Sequence, residues 1–206
     1  MMKSIKAIFF DLGKVLVNYD IKTLEDGYSE YADIPEGILN DYIMGSDIGR
    51  GYMEGKLTSS VFFRLTKRYF KMVIKYGDFY RVWNSMFYPY PEMEKILRKI
   101  RSDYPDIRLV LVSDTNESHF DFIRKEYDVL DLMDHFVLSY KVGKMKPHPS
   151  IYKEAIRLSG ETAKQTFYAD DRADLIKSAR TMGLRAYQFT GHEKLRQELS
   201  KFDIAV

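Results

Sequence analysis

At 206 residues the chain suffices for one sizeable domain or for a core with an insert, and either buries enough apolar surface to fold alone. Its 32 Lys and Arg against 30 Asp and Glu, a net charge of +2, exclude the strong basic field of a protein that grips nucleic acid or an anionic membrane; the absence of Cys excludes disulfides, thiolate metal sites and cysteine nucleophiles. The apolar run at 7–10 is too short for a secretory segment and no run approaches membrane-spanning length, so a cytoplasmic protein is expected, as a monomer or weak homodimer.

Residues 5–10, closed by Asp11, predict a first strand. From 18 to 88 the pattern changes to amphipathic stretches rich in Tyr, Phe and Met without a convincing strand, which predicts a helical insert. Within it Phe79, Tyr80, Trp83, Met86 and Phe87 fall at the spacings of a buried helix face, whereas Arg64, Lys67, Arg68, Lys71 and Lys75 read as a solvated face. Asp20 reads as a helix cap or turn, with proton carrier as the sharper alternative, and Arg50 and Tyr52 are candidates for substrate contact. Pro89 and Pro91 mark the return, and Pro91 suits the first turn of a helix through Met93, Ile96, Leu97 and Ile100.

Four further apolar runs, 107–112, 136–138, 166–169 and 185–189, alternate with helical patterning, as buried parallel strands in βαβ units do. The expected fold is α/β: a doubly wound, Rossmann-like parallel sheet built from 1–17 and 89–206, with a small helical cap over 18–88. His119, His135, His148 and His192 lack metal-ligand spacing and are expected to be structural, with His148, beside Lys146, the one exception to weigh.

Ligands of open α/β sheets bind beyond the carboxyl ends of the strands, so the polar residues that close the apolar runs carry the chemistry. Those residues are Asp11, Ser113 and the pair Asp170–Asp171, joined by Lys146 in the loop after the 136–138 run. Three carboxylates, a hydroxyl and an ammonium in one crevice suit phosphoryl transfer. The carboxylates repel unless a hard cation joins them, and Mg²⁺ favours such oxygens together with substrate phosphate. Asp11 then acts as covalent nucleophile, with Ser113 and Lys146 on phosphate oxygens, backbone N–H groups near Gly13 facing the developing charge, and Asn116 as a further donor.

Four segments in order carry a resemblance. Phe9-Phe10-Asp11-Leu12-Gly13-Lys14-Val15-Leu16, Leu111-Val112-Ser113-Asp114-Thr115-Asn116, Gly143-Lys144-Met145-Lys146-Pro147-His148-Pro149-Ser150-Ile151-Tyr152 and Tyr168-Ala169-Asp170-Asp171-Arg172 resemble the four motifs of the haloacid dehalogenase superfamily. The resemblance implies Asp11 as nucleophile, Ser113 and Lys146 on phosphate, and Mg²⁺ held by Asp11, the Gly13 carbonyl, Asp170 and Asp171, with Asp171 favoured as direct ligand. Gly13, Lys14, Asp114 and Asn116 complete the candidate phosphate contacts.

One departure stands out. Most phosphatases of that superfamily carry a second Asp two residues after the nucleophile, as acid and base, and here that residue is Gly13. An Asp-Leu-Gly opening also resembles a subgroup of bacterial sugar-phosphate phosphatases, so a magnesium-dependent phosphatase of a small phosphorylated metabolite is expected. The alternative is a weak or silent phosphate-binding regulatory module. A 2-haloacid dehalogenase, whose aspartate attacks carbon without metal, is opposed by the Asp170–Asp171 pair.

Overall fold

The computed structural model describes residues 4–206; residues 1–3 of the expected core lie outside it. Strand β1 (Ala7–Phe10), buried along its whole length, leads through a tight loop to β2 (Val17–Tyr19). Five helices follow, α1 (Ile21–Ser29), α2 (Ile38–Gly45), α3 (Asp47–Met53), α4 (Ser59–Tyr69) and α5 (Tyr76–Asn84). The chain then returns as β3 (Phe87–Pro89), antiparallel to β2, with Tyr19 opposite Phe87 and Val17 opposite Pro89. The insert is therefore bracketed by a short ribbon where no strand was expected: two three-residue strands, half exposed, give no period-two signal.

From α6 (Pro91–Asp103), with Pro91 in its first turn, strand and helix alternate. They are β4 (Arg108–Ser113), α7 (Glu117–Glu126), β5 (His135–Leu138), the single turn α8 (Ser139–Val142), α9 (Pro149–Ser159), β6 (Thr166–Asp170), α10 (Ala173–Thr181), β7 (Arg185–Gln188) and α11 (His192–Ser200). The five main strands are all parallel, in the order β5-β4-β1-β6-β7, so the chain winds one way from β1 and then the other. That reversal opens a crevice above the carboxyl ends of β4, β1 and β6.

Alternation along the central strands feeds two cores. Ile8, Phe10, Leu109 and Leu111 pack with Ile96, Leu97 and Ile100 of α6 and with α7 and α11. Ala7, Phe9, Val110 and Val112 face Ile151, Tyr152 and Ala155 of α9 and Ile176 and Ala179 of α10. A third cluster lies wholly in the helical insert: Leu24, Tyr28, Phe62, Phe79 and Trp83 are buried together, and Tyr52 stacks on Phe62 with ring centroids 4.2 Å apart. Among the described residues no helix is long and apolar enough to cross a membrane.

Insert and core meet through backbone. The Ser139 hydroxyl accepts from the Thr115 N–H at 2.9 Å and donates to the Met53 carbonyl at 2.6 Å, joining the end of α3 to the loop after β4. Beside it Gly55, at φ +69°, lies so close to α8 that a Cβ there would sit 2.1 Å from the Tyr140 carbonyl oxygen. A side chain at 55 would meet both left-handed strain and a backbone overlap. Gly55→Ala is expected to destabilise the protein by at least about 1–3 kcal/mol, read as a lower urea midpoint with an unchanged m-value.

Candidate active site

Strand register builds the floor of the crevice. Phe10 is level with Leu111 on one side and Ala169 on the other, so the next residues, Asp11, Val112 and Asp170, emerge together at the sheet edge. The Asp11 N–H donates to the Ala169 carbonyl at 3.0 Å, which fixes its backbone as the strand ends.

Lys146 reaches into this edge from the loop before α9, its side chain 2% exposed. Its ammonium lies 2.7 Å from Asp11 Oδ1, 2.7 Å from Asp170 Oδ2, 3.1 Å from the Val112 carbonyl and 3.3 Å from the Tyr168 hydroxyl. The Tyr168 hydroxyl also donates to Asp170 Oδ2. Burial works against the Lys146 charge, yet Asp11, Tyr168, Asp170 and Asp114 outweigh it and hold the ammonium well above the ordinary lysine pKa. For Asp11 the balance runs the other way. Burial raises its pKa, Lys146 lowers it, Asp170 raises it again, and the carboxyl is pushed up to about 7.

The two adjacent aspartates differ. Asp170 is fully buried and both its oxygens are engaged, Oδ2 by Lys146 and Tyr168, Oδ1 by the Arg172 N–H at 2.9 Å. Asp171 is half-buried and faces the cavity, its pKa raised by burial and then by Asp170. Asp11, Asp170 and Asp171 each offer an oxygen within 4.8 Å of the others, a spacing and a donor chemistry that fit a hard divalent cation.

Above this floor lies a cavity of about 300 Å³. Asp11, Gly13, Lys14, Ser113, Asp114 and Lys146 all line it, so the structure brings these sequence candidates to one place. Ser113 is buried there, 2% exposed, at the end of β4. The roof is mostly apolar, with Ile43, Met44 and Met53 from α2 and α3 and Trp83, Met86 and Phe87 from the return path. Trp83 and Phe87 thus serve the core and the cavity wall together.

Several candidates act otherwise than expected. Asn116 does not face the cavity as a phosphate donor. Its Oδ1 caps α7 by accepting from the His119 N–H at 3.0 Å, and its Nδ2 sits 3.0 Å from His119 Nδ1. The Asp114 side chain is tied to the loop, its Oδ1 accepting from the Lys146 N–H at 2.8 Å, while the residue still lines the cavity. Lys14 holds its ammonium 5.2 Å from the Tyr19 ring centroid. Arg50 is exposed and Tyr52 is buried against Phe62, and neither lines the cavity. Asp20, by contrast, is the helix cap that its sequence context predicts, accepting from the Lys22 N–H at the start of α1.

Three contributors carried a signal that sequence reading passed over. Tyr168 lies two residues before Asp170, hence on the same strand face. Ser139 opens the turn after β5. His119 lines the cavity while stacked on Trp83 at 4.7 Å; burial lowers its pKa to about 3, and as a neutral ring its Nε2–H donates to the Trp83 carbonyl at 3.2 Å.

Carboxylates from two strands and a lysine, gathered at the switch point of a doubly wound sheet, define an α/β enzyme whose chemistry rests on those side chains. The model of the haloacid dehalogenase-like hydrolases matches residues 5–183, and the chain belongs to that family. A D-ribitol-5-phosphate phosphatase of Bacteroides thetaiotaomicron is 25% identical over 207 residues, covering 95% of this chain and 97% of that one. The family enzyme bt-2542 from the same organism, solved with magnesium and inorganic phosphate, superposes with TM-score 0.79 at 24% identity over 89% of this chain and 93% of its own. A predicted HAD-like hydrolase from Porphyromonas gingivalis superposes with TM-score 0.81 at 21% identity over 97% and 98%.

Removing the Lys146 charge leaves Asp11 and Asp170 facing each other in a buried site. Lys146→Ala is expected to cost about 3–5 kcal/mol in urea unfolding, more at about pH 8 than at about pH 5, where Asp11 can take a proton. The folded protein keeps the Asp11 proton up to about 7 while an unfolded Asp releases it near 3.8, so the native state binds more protons between those values. Without divalent cation, stability at this site therefore falls as pH rises from about 4 to 7. Asp11→Asn is expected to flatten that part of a thermal-melting profile and raise Tm above pH 7.

Proposed function

We propose that the protein is a magnesium-dependent phosphomonoester hydrolase of small phosphorylated metabolites, with Asp11 as nucleophile and an aspartyl-phosphate as intermediate. The observation that carries this reading is the convergence of the Asp11, Asp170 and Asp171 oxygens within 4.8 Å around a buried Lys146, on the floor of a cavity of about 300 Å³. Asp11, the Gly13 carbonyl and Asp171 would hold Mg²⁺, which supplies the positive charge that lets an anionic carboxylate approach an anionic phosphate. Asp170, with both oxygens engaged, positions Lys146.

Asp11 attacks phosphorus along the crevice, the P–O bond to the substrate alcohol breaks and the alcohol leaves, and the resulting acyl phosphate is hydrolysed by water to give inorganic phosphate and restore the carboxylate. Lys146, already against Asp11 Oδ1, orients the nucleophile and meets one phosphate oxygen, while Ser113 donates to another. The 18–88 insert acts as a cap: its apolar roof excludes water and holds the carbon skeleton, and its opening releases product. Similarity to a ribitol-5-phosphate phosphatase supports a sugar or sugar-alcohol phosphate as substrate class.

A screen of phosphorylated metabolites, including sugar 1-phosphates and alditol phosphates, tests this directly. Hydrolysis is expected with Mg²⁺ and not in a chelator, and Asp11→Asn is expected to reduce kcat by about 10⁴-fold or more while the protein stays folded. Turnover that survives either change would sink the reading, and activity retained in chelator on a 2-haloacid would point to dehalogenation instead.

A further inference from the structure

Gly13 leaves the site without the carboxylate that the family pattern places two residues after the nucleophile. The structure fills that volume from another strand. A Cβ built on Gly13 would lie 2.8 Å from Tyr19 Cε1 and 3.2 Å from Cδ1, closer than carbon atoms pack. Residue 13 is glycine because the Tyr19 ring occupies the space in which a side chain there would begin.

That ring is held in place. Tyr19 ends β2, pairs with Phe87 across the ribbon, and meets the Phe87 ring edge-on at 6.2 Å. It lines the cavity beside Asp11, Gly13 and Lys14, with the Lys14 ammonium over its face. Among the described residues on this wall, Tyr19 is the one that pairs a proton-bearing hydroxyl with a seat over residue 13. Asp11, Lys14, Asp114, Lys146, Asp171 and Arg172 are the charged residues that line the cavity with it, and Lys14, Asp171 and Asp11 act on it directly.

Building on the phosphatase reading, we infer that the Tyr19 hydroxyl replaces the missing carboxylate as proton donor to the leaving oxygen. As the Asp11 oxygen bonds to phosphorus, the ester P–O bond breaks, its electron pair stays on the leaving oxygen, and that oxygen takes the phenolic proton. The phenolate, next to the Lys14 ammonium, then takes a proton from the water that attacks phosphorus. The P–O bond to Asp11 breaks, which restores the carboxylate and releases inorganic phosphate. An ordinary phenol is protonated at neutral pH, as the first step requires.

Tyr19→Phe keeps the ring and removes only the hydroxyl. The two substrates are the best alkyl phosphate of the screen above, whose alkoxide must be protonated to leave, and p-nitrophenyl phosphate, whose phenolate leaves without a proton. The parameter is kcat/KM, which covers the steps through leaving-group release. Tyr19→Phe is expected to lower it about 10²-fold or more on the alkyl ester and to leave it within a few fold on the aryl ester, with melting temperature unchanged. A lost-ground ratio between the two esters below about tenfold overturns the assignment, as does a wild-type enzyme that cleaves only the aryl ester.

Should Tyr19→Phe fail to fold, Gly13→Asp combined with Tyr19→Ala decides instead. It is expected to recover alkyl-ester cleavage that Tyr19→Ala alone has lost, and no recovery overturns the assignment. Wild-type protein inactive on both esters with Mg²⁺ overturns the phosphatase reading itself, a result distinct from any pattern among the Tyr19 variants.

Discussion

The ammonium of Lys146 holds this active site together. It is buried against the ends of three adjacent central strands, touching Asp11 after β1, the Val112 carbonyl in β4 and both Tyr168 and Asp170 in β6. Without it the sheet edge would gather carboxylates in a region from which water is largely excluded, a steep electrostatic cost. With it two of the carboxylates share a counter-ion, while Asp171 stays facing the cavity. The pKa of Asp11 is raised even so, first because burial strips its carboxylate of water and then because Asp170 is near, and the Lys146 ammonium offsets only part of that cost. The site is therefore built to receive more positive charge, and a hard cation meets that need.

The insert completes what the sheet begins. Its helices carry their own buried cluster of Leu24, Tyr28, Phe62, Phe79 and Trp83, so they present a formed surface to the crevice. The seam is set by backbone, through the Ser139 hydroxyl between Thr115 and Met53 and by the close approach of Gly55 to Tyr140. His119 joins the same wall, its neutral ring bridging Asn116 and the Trp83 carbonyl. A largely apolar roof over a charged floor strengthens each electrostatic contact below it.

Much of this was legible in the chain. Continuous apolar runs are what doubly buried parallel strands require, and the residues that close them, Asp11, Ser113 and Asp170, had to surface at one edge once the strands were parallel. Each of the five strands shifted at one end or both by one or two residues, because the pairing partner, not the apolar run, sets where a strand stops. The ribbon of β2 and β3 escaped notice because three residues cannot display a period. Asn116 was misread for a different reason. The chain needs three residues to turn from β4 into α7, so the capping position falls at 116 rather than at Ser113. The meeting of Gly13 with Tyr19 was invisible, since five intervening residues separate the two, whose contact exists only after the ribbon forms.

Membership of the haloacid dehalogenase-like hydrolases fixes the fold and the class of enzyme, and the proposed chemistry rests on Asp11, Lys146 and Asp171. The central claim is that phosphate passes through Asp11. The measurement that tests it most directly is mass spectrometry of protein acid-quenched during turnover of a phosphate ester with Mg²⁺. The account predicts added mass of one phosphoryl group on the peptide containing Asp11, absent when substrate is omitted. Steady hydrolysis with no phosphorylated protein in rapidly quenched single-turnover samples, or with the group on a different residue, would contradict it.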